Sequence, residues 1–101
     1  MNIYYFPFLS MQEELVTALA QGRHVRVERI ISTGQTSDWY DQDEAELVIL
    51  IEGQATIEYE GGRTTTLSKG DILLILPHEK HRVSYTSSEP ACIWICVFFS
   101  E

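Results

Sequence analysis

Basic residues are scarce in this sequence. Seven Lys and Arg residues stand against fifteen Asp and Glu residues, which gives a formal net charge of −8. Nucleic acids and anionic membrane surfaces are bound through clustered Lys and Arg side chains. We therefore expect neither a nucleic acid nor a membrane as a partner. The acidic balance instead favours a cationic ligand or a metal ion.

Cysteines and long apolar runs are also few. Cys92 and Cys96 are the two cysteines, and in a strand their Cα atoms would lie roughly 13 Å apart. A disulfide needs about 7 Å or less, so the two cannot pair with each other. Reduced thiols fit a cytoplasmic location. Residues 1–9 lack a signal-peptide pattern, and no run approaches the roughly 18 apolar residues of a membrane span.

The 101 residues are enough for one domain, which we expect to span residues 1–101. From about residue 24 to residue 100, short alternating apolar segments are separated by turn signals, such as Gly61-Gly62. About eight such strands, with turns at intervals of roughly 8–12 residues, are typical of a β-sandwich or a β-barrel. The pattern thus predicts an all-β fold.

One helix is predicted ahead of the strands. Ser10 and Glu13 form a capping-box pattern, and residues 11–21 are good helix formers. Gly22 supplies the stop signal. We expect a short helix over about residues 10–22 that packs against the barrel.

Two residues stand out as candidates for chemistry. Glu46 precedes an apolar strand and shares a face with Val48 and Leu50 by period-two alternation. Alternatively, the odd-numbered residues of this strand face the core and Glu46 lies at the solvent rim. His81 begins a second alternating strand. An inward pair of Glu46 and His81 would be either a proton-transfer pair or two ligands of a metal site.

The segment before Glu46 offers further candidates. Asp41 or Gln42 could supply a third ligand, although an acidic loop is as readily explained by solvation. Aromatic residues near the expected barrel mouth would either form the wall of a ligand site or pack in the core. His78 lies in a turn, where it is either exposed or placed at that mouth. The candidate lining residues are Trp39, Tyr40, His78 and Tyr85.

Two stretches resemble the cupin motifs. Residues 46–53, Glu-Leu-Val-Ile-Leu-Ile-Glu-Gly, look like the second half of the first motif. Residues 70–81, a Gly-Asp turn followed by an apolar strand, a Pro-containing turn and His81, look like the second. The resemblance implies a double-stranded β-helix, or jelly-roll barrel. Trp39-Tyr40-Asp41-Gln42, His81-Arg82-Val83 and the aromatic-rich last strand are similar to a narrower group of small bacterial cupins.

The sequence departs from the metal-binding cupins at the ligand positions. The His-x-His pair of the first motif falls on Tyr40 and Gln42 or on Trp39 and Asp41, and a commonly found Asn falls on Tyr85. Of the four usual ligands, Glu46 and His81 remain. One divalent ion of Mn, Fe, Ni or Zn held by Glu46, His81, Asp41 and Gln42 is therefore an expectation for this chain, with weak affinity that falls as His81 is protonated.

Three functions follow from this resemblance. The first is a barrel that binds a small molecule, with or without one divalent metal ion. The second is a metal-dependent oxygenase or isomerase, as many cupins are. The third is a non-catalytic interaction protein. A homodimer is expected in each case, because the last strand, residues 93–99, is apolar on both faces. A fold alone does not choose among these functions.

Overall fold

A computed structural model of the protein describes residues 1–7 and 12–101. Within these residues the chain forms eight strands. Their bounds are β1 Leu15–Gln21, β2 Val25–Ser32, β3 Ala45–Glu52, β4 Gln54–Tyr59, β5 Thr64–Ser68, β6 Ile72–Ile75, β7 His81–Thr86 and β8 Cys92–Phe99. No helix in residues 1–7 and 12–101 is long and apolar enough to cross a membrane.

The strands form two antiparallel sheets. A large sheet has the order β1-β2-β8-β3-β6, and a small sheet has the order β5-β4-β7. Strand β8 lies between β2 and β3 and pairs with β2 along its whole length, from Val25 opposite Phe99 to Ser32 opposite Cys92. One cluster of buried apolar side chains draws on both sheets. The predicted all-β, jelly-roll architecture is confirmed.

Period-two alternation decides which side chains enter the barrel. In β3, Val48 and Leu50 are buried, whereas Leu47 and Ile49, which alternate with them, are partly exposed. Glu46 shares the face of Val48 and therefore points inward. The alternative arrangement of this strand, in which the odd-numbered residues face the core and Glu46 lies at the solvent rim, is wrong.

The predicted N-terminal helix is wrong over the described residues. Residues 15–21 form strand β1, which pairs with β2 from Leu15 opposite Ile31 to Gln21 opposite Arg26. Residues 10 and 11 of the predicted helix lie outside the described residues. Helix propensity is a weak preference that tertiary context overrides. Here the unpaired edge of β2 supplies the backbone hydrogen bonds that a helix would otherwise make internally.

A glycine is required where β3 turns into β4. Gly53 has a φ of +93°, and a Cβ atom built there would lie 2.8 Å from Cys92 Sγ and 2.9 Å from Cys92 Cα. Both the backbone conformation and the lack of space exclude a larger side chain. This turn sends the chain from the large sheet into the small one, so that β3 and β7 contribute to one interior.

Candidate functional site

A cavity of about 320 Å³ lies between the two sheets. This volume is at the lower end of the roughly 300–1,000 Å³ range of small-molecule sites. Its apolar wall is formed by Val16, Ile30, Val48, Ile57, Ile75, Val83, Trp94 and Phe98. The remaining lining residues are polar or titratable, and they are Glu14, Arg26, Glu28, Ser37, Tyr40, Gln42, Glu46, His81 and Cys96.

Glu46 is placed by the register of β3. It lies opposite Ile75 on one side and Phe98 on the other, and 9% of it is exposed. Gln42 Nε2 donates a hydrogen bond to Glu46 Oε1 at 3.1 Å. Burial raises the pKa of the Glu46 carboxyl above its ordinary value, and the Gln42 hydrogen bond and nearby His81 offset part of that rise. The cavity thus contains a carboxyl group that is costly to ionise.

His81 enters the same cavity as the first residue of β7, with 3% of it exposed. Its Nδ1 atom lies 2.8 Å from the carbonyl oxygen of Glu79. A carbonyl oxygen only accepts, so Nδ1 carries the proton and Nε2 of the neutral ring is an acceptor. Nε2 lies 3.9 Å from Glu46 Oε1, which is beyond hydrogen-bond length. A small group of atoms can therefore contact both side chains.

Tyr40 closes the cavity from the loop between β2 and β3. Its backbone pairs with that of His81, with N-to-O distances of 2.7 Å and 3.0 Å. The two ring centroids are 5.6 Å apart. Burial and the charge of Glu14 raise the pKa of the Tyr40 hydroxyl. The loop thus contributes a neutral phenol to the lining of the cavity.

Several lining residues were not identified from the sequence, among them Arg26, Trp94 and Cys96. Cys96 and Trp94 come from β8, and Arg26 comes from β2. Burial, followed by the charge of Glu46, raises the pKa of the Cys96 thiol well above its ordinary value, so Cys96 is a neutral thiol rather than a nucleophile. Alternation along β8 is the signal that could have identified Trp94 and Cys96, since it places both on one face.

Asp41 and His78 lie outside the cavity lining. His78 Nδ1 is 2.8 Å from Asp41 Oδ1, and its Nε2 is 3.2 Å from Asp43 Oδ1. All three side chains are largely exposed. The hydrogen bond to Asp41 raises the pKa of the His78 imidazole. Because Asp41 is directed towards His78, it does not reach Glu46 as a third ligand.

Trp39 and Tyr85 also lie outside the lining. The guanidinium carbon of Arg82 lies 4.7 Å from the ring centroid of Trp39, on the outer surface. Tyr85 is half exposed on β7. A bulge in the pairing of β4 with β7 falls between Val83 and Tyr85, which interrupts the alternation that would place them on one face. Of the four candidate lining residues, the structure thus places Tyr40 at the cavity.

Comparison with known proteins shows the family of this chain. Residues 27–98 match the model of a family described as the cupin domain. The chain belongs to the cupin family. A candidate mannose-6-phosphate isomerase from Ralstonia eutropha JMP134 is 30% identical to this cupin, with a TM-score of 0.92 over 100% of this chain and 97% of that one. A search of curated proteins found no match.

Two further solved structures share the cupin fold at lower identity. A cupin superfamily protein from Desulfitobacterium hafniense DCB-2 is 17% identical, with a TM-score of 0.82 over 94% of this chain and 84% of that one. An RmlC-like cupin from Shewanella frigidimarina NCIMB 400 is also 17% identical, with a TM-score of 0.76 over 87% of this chain and 77% of that one. At this identity the likeness concerns the fold alone.

The side chains in this cupin do not fit a complete metal site. Glu46 and His81 are two metal-capable donors on the cavity, and the amide group of Gln42 directs its NH₂ towards Glu46. Metal sites in proteins use three or four protein ligands. Within residues 1–7 and 12–101, no group of three or more His, Cys, Asp or Glu side chains is arranged to hold an ion.

Proposed function

We propose that this cupin is a binding barrel that takes one small organic molecule into the cavity between its sheets. The observation that carries the proposal is the division of the cavity into two kinds of surface. Eight apolar side chains form most of the wall, and Glu46, His81, Gln42 and Tyr40 converge at one end. An apolar body with a few fixed polar contacts is the usual composition of a small-molecule site.

The two tryptophans provide a test of binding. Trp94 lines the cavity and is 4% exposed, whereas Trp39 lies outside it. A Trp39→Phe variant therefore leaves Trp94 as the one tryptophan, and its emission, excited apart from that of tyrosine, reports on the interior. Benzyl alcohol, with eight non-hydrogen atoms, should bind at about 1 mM if it gains about 0.5 kcal/mol per atom. We expect a saturable change in Trp94 fluorescence on titration with this probe.

A matched pair of variants tests whether the probe enters the cavity. Val83 lies on the cavity wall, and Ser84 follows it on the same strand outside the lining. We expect Val83→Phe to remove the fluorescence change because the added ring fills the space. Ser84→Phe should leave it in place. A signal that survives Val83→Phe, in a variant that circular dichroism shows to be folded, would contradict binding in the cavity.

A second candidate function is an isomerase that uses Glu46 and His81 for proton transfer. The 30% identity to a candidate mannose-6-phosphate isomerase over the full chain favours it. The two side chains lie 3.9 Å apart on the cavity, close enough to reach one substrate. An assay with mannose 6-phosphate, with and without Mn, Fe(II), Ni or Zn, tests this activity. Conversion that is lost in both Glu46→Ala and His81→Ala would establish it.

Metal content is tested separately on protein purified without a metal-affinity tag. We propose at most weak binding of one divalent ion, since Glu46 and His81 are grouped on the cavity without a third ligand among the described residues, and His81 must be neutral to coordinate. Calorimetry with Mn, Fe(II), Ni and Zn at pH 7 and pH 5 should show affinity that falls with acidity, because a proton competes with the metal for His81 Nε2. Nanomolar binding that does not depend on pH would contradict this ligand set.

We also propose that two copies associate through the outer face, defined as Leu47, Ile49, Ile72, Leu74, Ile95, Val97 and Phe99 of the large sheet. These residues are partly or largely exposed, and none carries a charge. On a chain with a net charge of −8, a neutral face is where two copies meet with least repulsion. The adjoining face of β2 is covered differently, since Arg29 donates to the Tyr5 carbonyl at 2.7 Å.

Light scattering tests the dimer, with 11.6 kDa as the mass of one chain. We expect twice that mass at micromolar concentration. Leu74 on β6 and Thr66 on β5 are both exposed and belong to different sheets. Leu74→Glu should give the single-chain mass, and Thr66→Glu should not. A single-chain mass for the unaltered protein would overturn the proposed dimer.

We also propose a cytoplasmic location for this cupin. The two buried free thiols agree with a reducing compartment.

A further inference from the structure

At the polar end of the cavity Glu46 receives hydrogen bonds from Gln42 and from the Cys96 thiol, and His81 Nε2 has no hydrogen-bond partner among the described residues. In the neutral ring His81 Nε2 is an acceptor, because Nδ1 donates to the Glu79 carbonyl at 2.8 Å. The side chain of His81 is 4% exposed, and its nearest charged neighbour is Glu46 Oε1 at 3.9 Å, which is also an acceptor when ionised. With His81 neutral and Glu46 ionised, two acceptors face each other at 3.9 Å, and a ligand that donates to both would relieve this unfavourable contact.

Glu46 lacks a cationic partner at contact distance. Its ion-pair neighbour within the described residues is His81, at the same 3.9 Å. The nearest guanidinium, that of Arg26, is engaged elsewhere. Arg26 NH1 lies 2.6 Å from Glu44 Oε1, Arg26 Nε lies 3.6 Å from Glu28 Oε2, and the group stacks over the Phe98 ring at 4.0 Å. Burial accordingly raises the pKa of Glu46.

The charge of the described lining is negative. Glu14, Glu28 and Glu46 line the cavity with Arg26 as their one guanidinium. A ligand carboxylate or phosphate would need a free cation, and Arg26 is already paired with Glu44 and Glu28. An anion would therefore enter a lining of three carboxylates and one guanidinium that is already paired.

From these contacts we propose that the cavity selects a molecule with an apolar body and a cationic N–H group, such as a primary ammonium, seated between Glu46 and His81. This rests on the proposed binding function and names its ligand class. An ammonium nitrogen about 2.9 Å from both acceptors spans their 3.9 Å separation at an angle of roughly 85°, so two different N–H groups can reach them. The apolar body would then contact the wall around Trp94.

Four probes of similar shape test the charge preference. Benzylamine, benzyl alcohol, benzoate and benzyl phosphate share one ring and differ in the polar group. At pH 7, in the Trp39→Phe background, we expect benzylamine to bind at least about tenfold more tightly than benzyl alcohol, because a charge-assisted hydrogen bond replaces a neutral one. Benzoate and benzyl phosphate should bind more weakly than benzyl alcohol.

Glu46→Gln locates the source of the preference. We expect this variant to bind benzylamine about tenfold more weakly and to bind benzyl alcohol within about twofold of the unaltered affinity, because Gln keeps the shape and removes the charge. Glu58→Gln removes the same charge from the outer surface of β4, where Glu58 pairs with Arg82 at 2.7 Å. This control should retain the preference for benzylamine.

The outcomes separate the inference from the function on which it rests. Tighter binding of benzoate or benzyl phosphate would overturn the cationic preference and leave a binding barrel in place. A preference for benzylamine that persists in Glu46→Gln would overturn the assigned position of the ammonium group. If none of the four probes changes Trp94 fluorescence saturably, the binding function itself fails.

Discussion

His78 and His81 lie three residues apart, and they differ in burial and in their distances to carboxylates. His78 is exposed, and each of its ring nitrogens faces an aspartate, Asp41 or Asp43. His81 is buried, with one nitrogen held by a backbone carbonyl and the other facing the cavity. When His78 is protonated, both of its nitrogens donate to aspartates and neither is a free acceptor. His81 keeps one nitrogen available, which is the condition for contact with a ligand.

Substitution of the two histidines by alanine should differ most in its effect on the free energy of unfolding. We expect His81→Ala to lower the free energy of unfolding by about 2–3 kcal/mol, because it leaves a void beside Tyr40 and Tyr59 and removes the contact with Glu79. His78→Ala should leave the urea midpoint nearly unchanged, since its side chain is exposed. Urea denaturation of both variants at pH 7 measures this. Equal losses in the two would contradict the contrast.

A smaller effect is expected at the carboxyl that faces His81. Glu46 has a folded-state pKa above its ordinary value, so its ionised form is disfavoured by folding. Glu46→Gln should therefore raise the free energy of unfolding by about 1 kcal/mol at neutral pH. The gain should appear as pH rises above the ordinary carboxyl pKa of 4.5, and should vanish below it, where Glu46 is protonated in both states.

The control for this effect is Glu44→Gln. Glu44 forms an ion pair with Arg26, so its removal should not stabilise the protein at neutral pH. Denaturation curves for both variants between pH 4 and pH 8 make the comparison. A stabilisation of Glu46→Gln that is independent of pH would show that its cause is packing rather than the cost of burying charge.

The smallest effect concerns the exposed histidine. The hydrogen bond to Asp41 raises the pKa of His78, so the protonated pair stabilises the fold fully below the ordinary value of 6.5. This contribution is lost as pH rises through the raised pKa. NMR titration should show His78 titrating above 6.5, with Asp41→Asn lowering its midpoint and Asp38→Asn, on the same exposed loop, having less effect.

The fold could be predicted further than the site. Strand alternation and turn signals are local, so the barrel from β2 onward followed from them and the cupin motifs. The segment over residues 15–21 could not be assigned locally, because its strand conformation depends on pairing with β2, a contact outside its own sequence. Its alanines, leucines and glutamine are favourable for a helix in isolation.

In the candidate site, the strand residues Glu46 and His81 could be predicted and the loop residues could not. Motif spacing and alternation brought Glu46 and His81 together, and the structure places both on the cavity. Loop residues could not be assigned in this way, since Asp41 is directed by His78 and Trp39 by Arg82, which lie far along the chain. Arg26 was missed because its position on the cavity depends on the pairing of β2 with β8.

The backbone pairing between Tyr40 and His81 links access to the interior with the stability of the small sheet. The loop that carries Tyr40 is held against β7 by two main-chain hydrogen bonds, of 2.7 Å and 3.0 Å. Widening the mouth on this side requires both to break, which is a local unfolding event. The amide protons of Tyr40 and His81 should therefore exchange with solvent together, and under conditions where every opening leads to exchange their common rate would set an upper limit on how fast molecules pass through this part of the mouth.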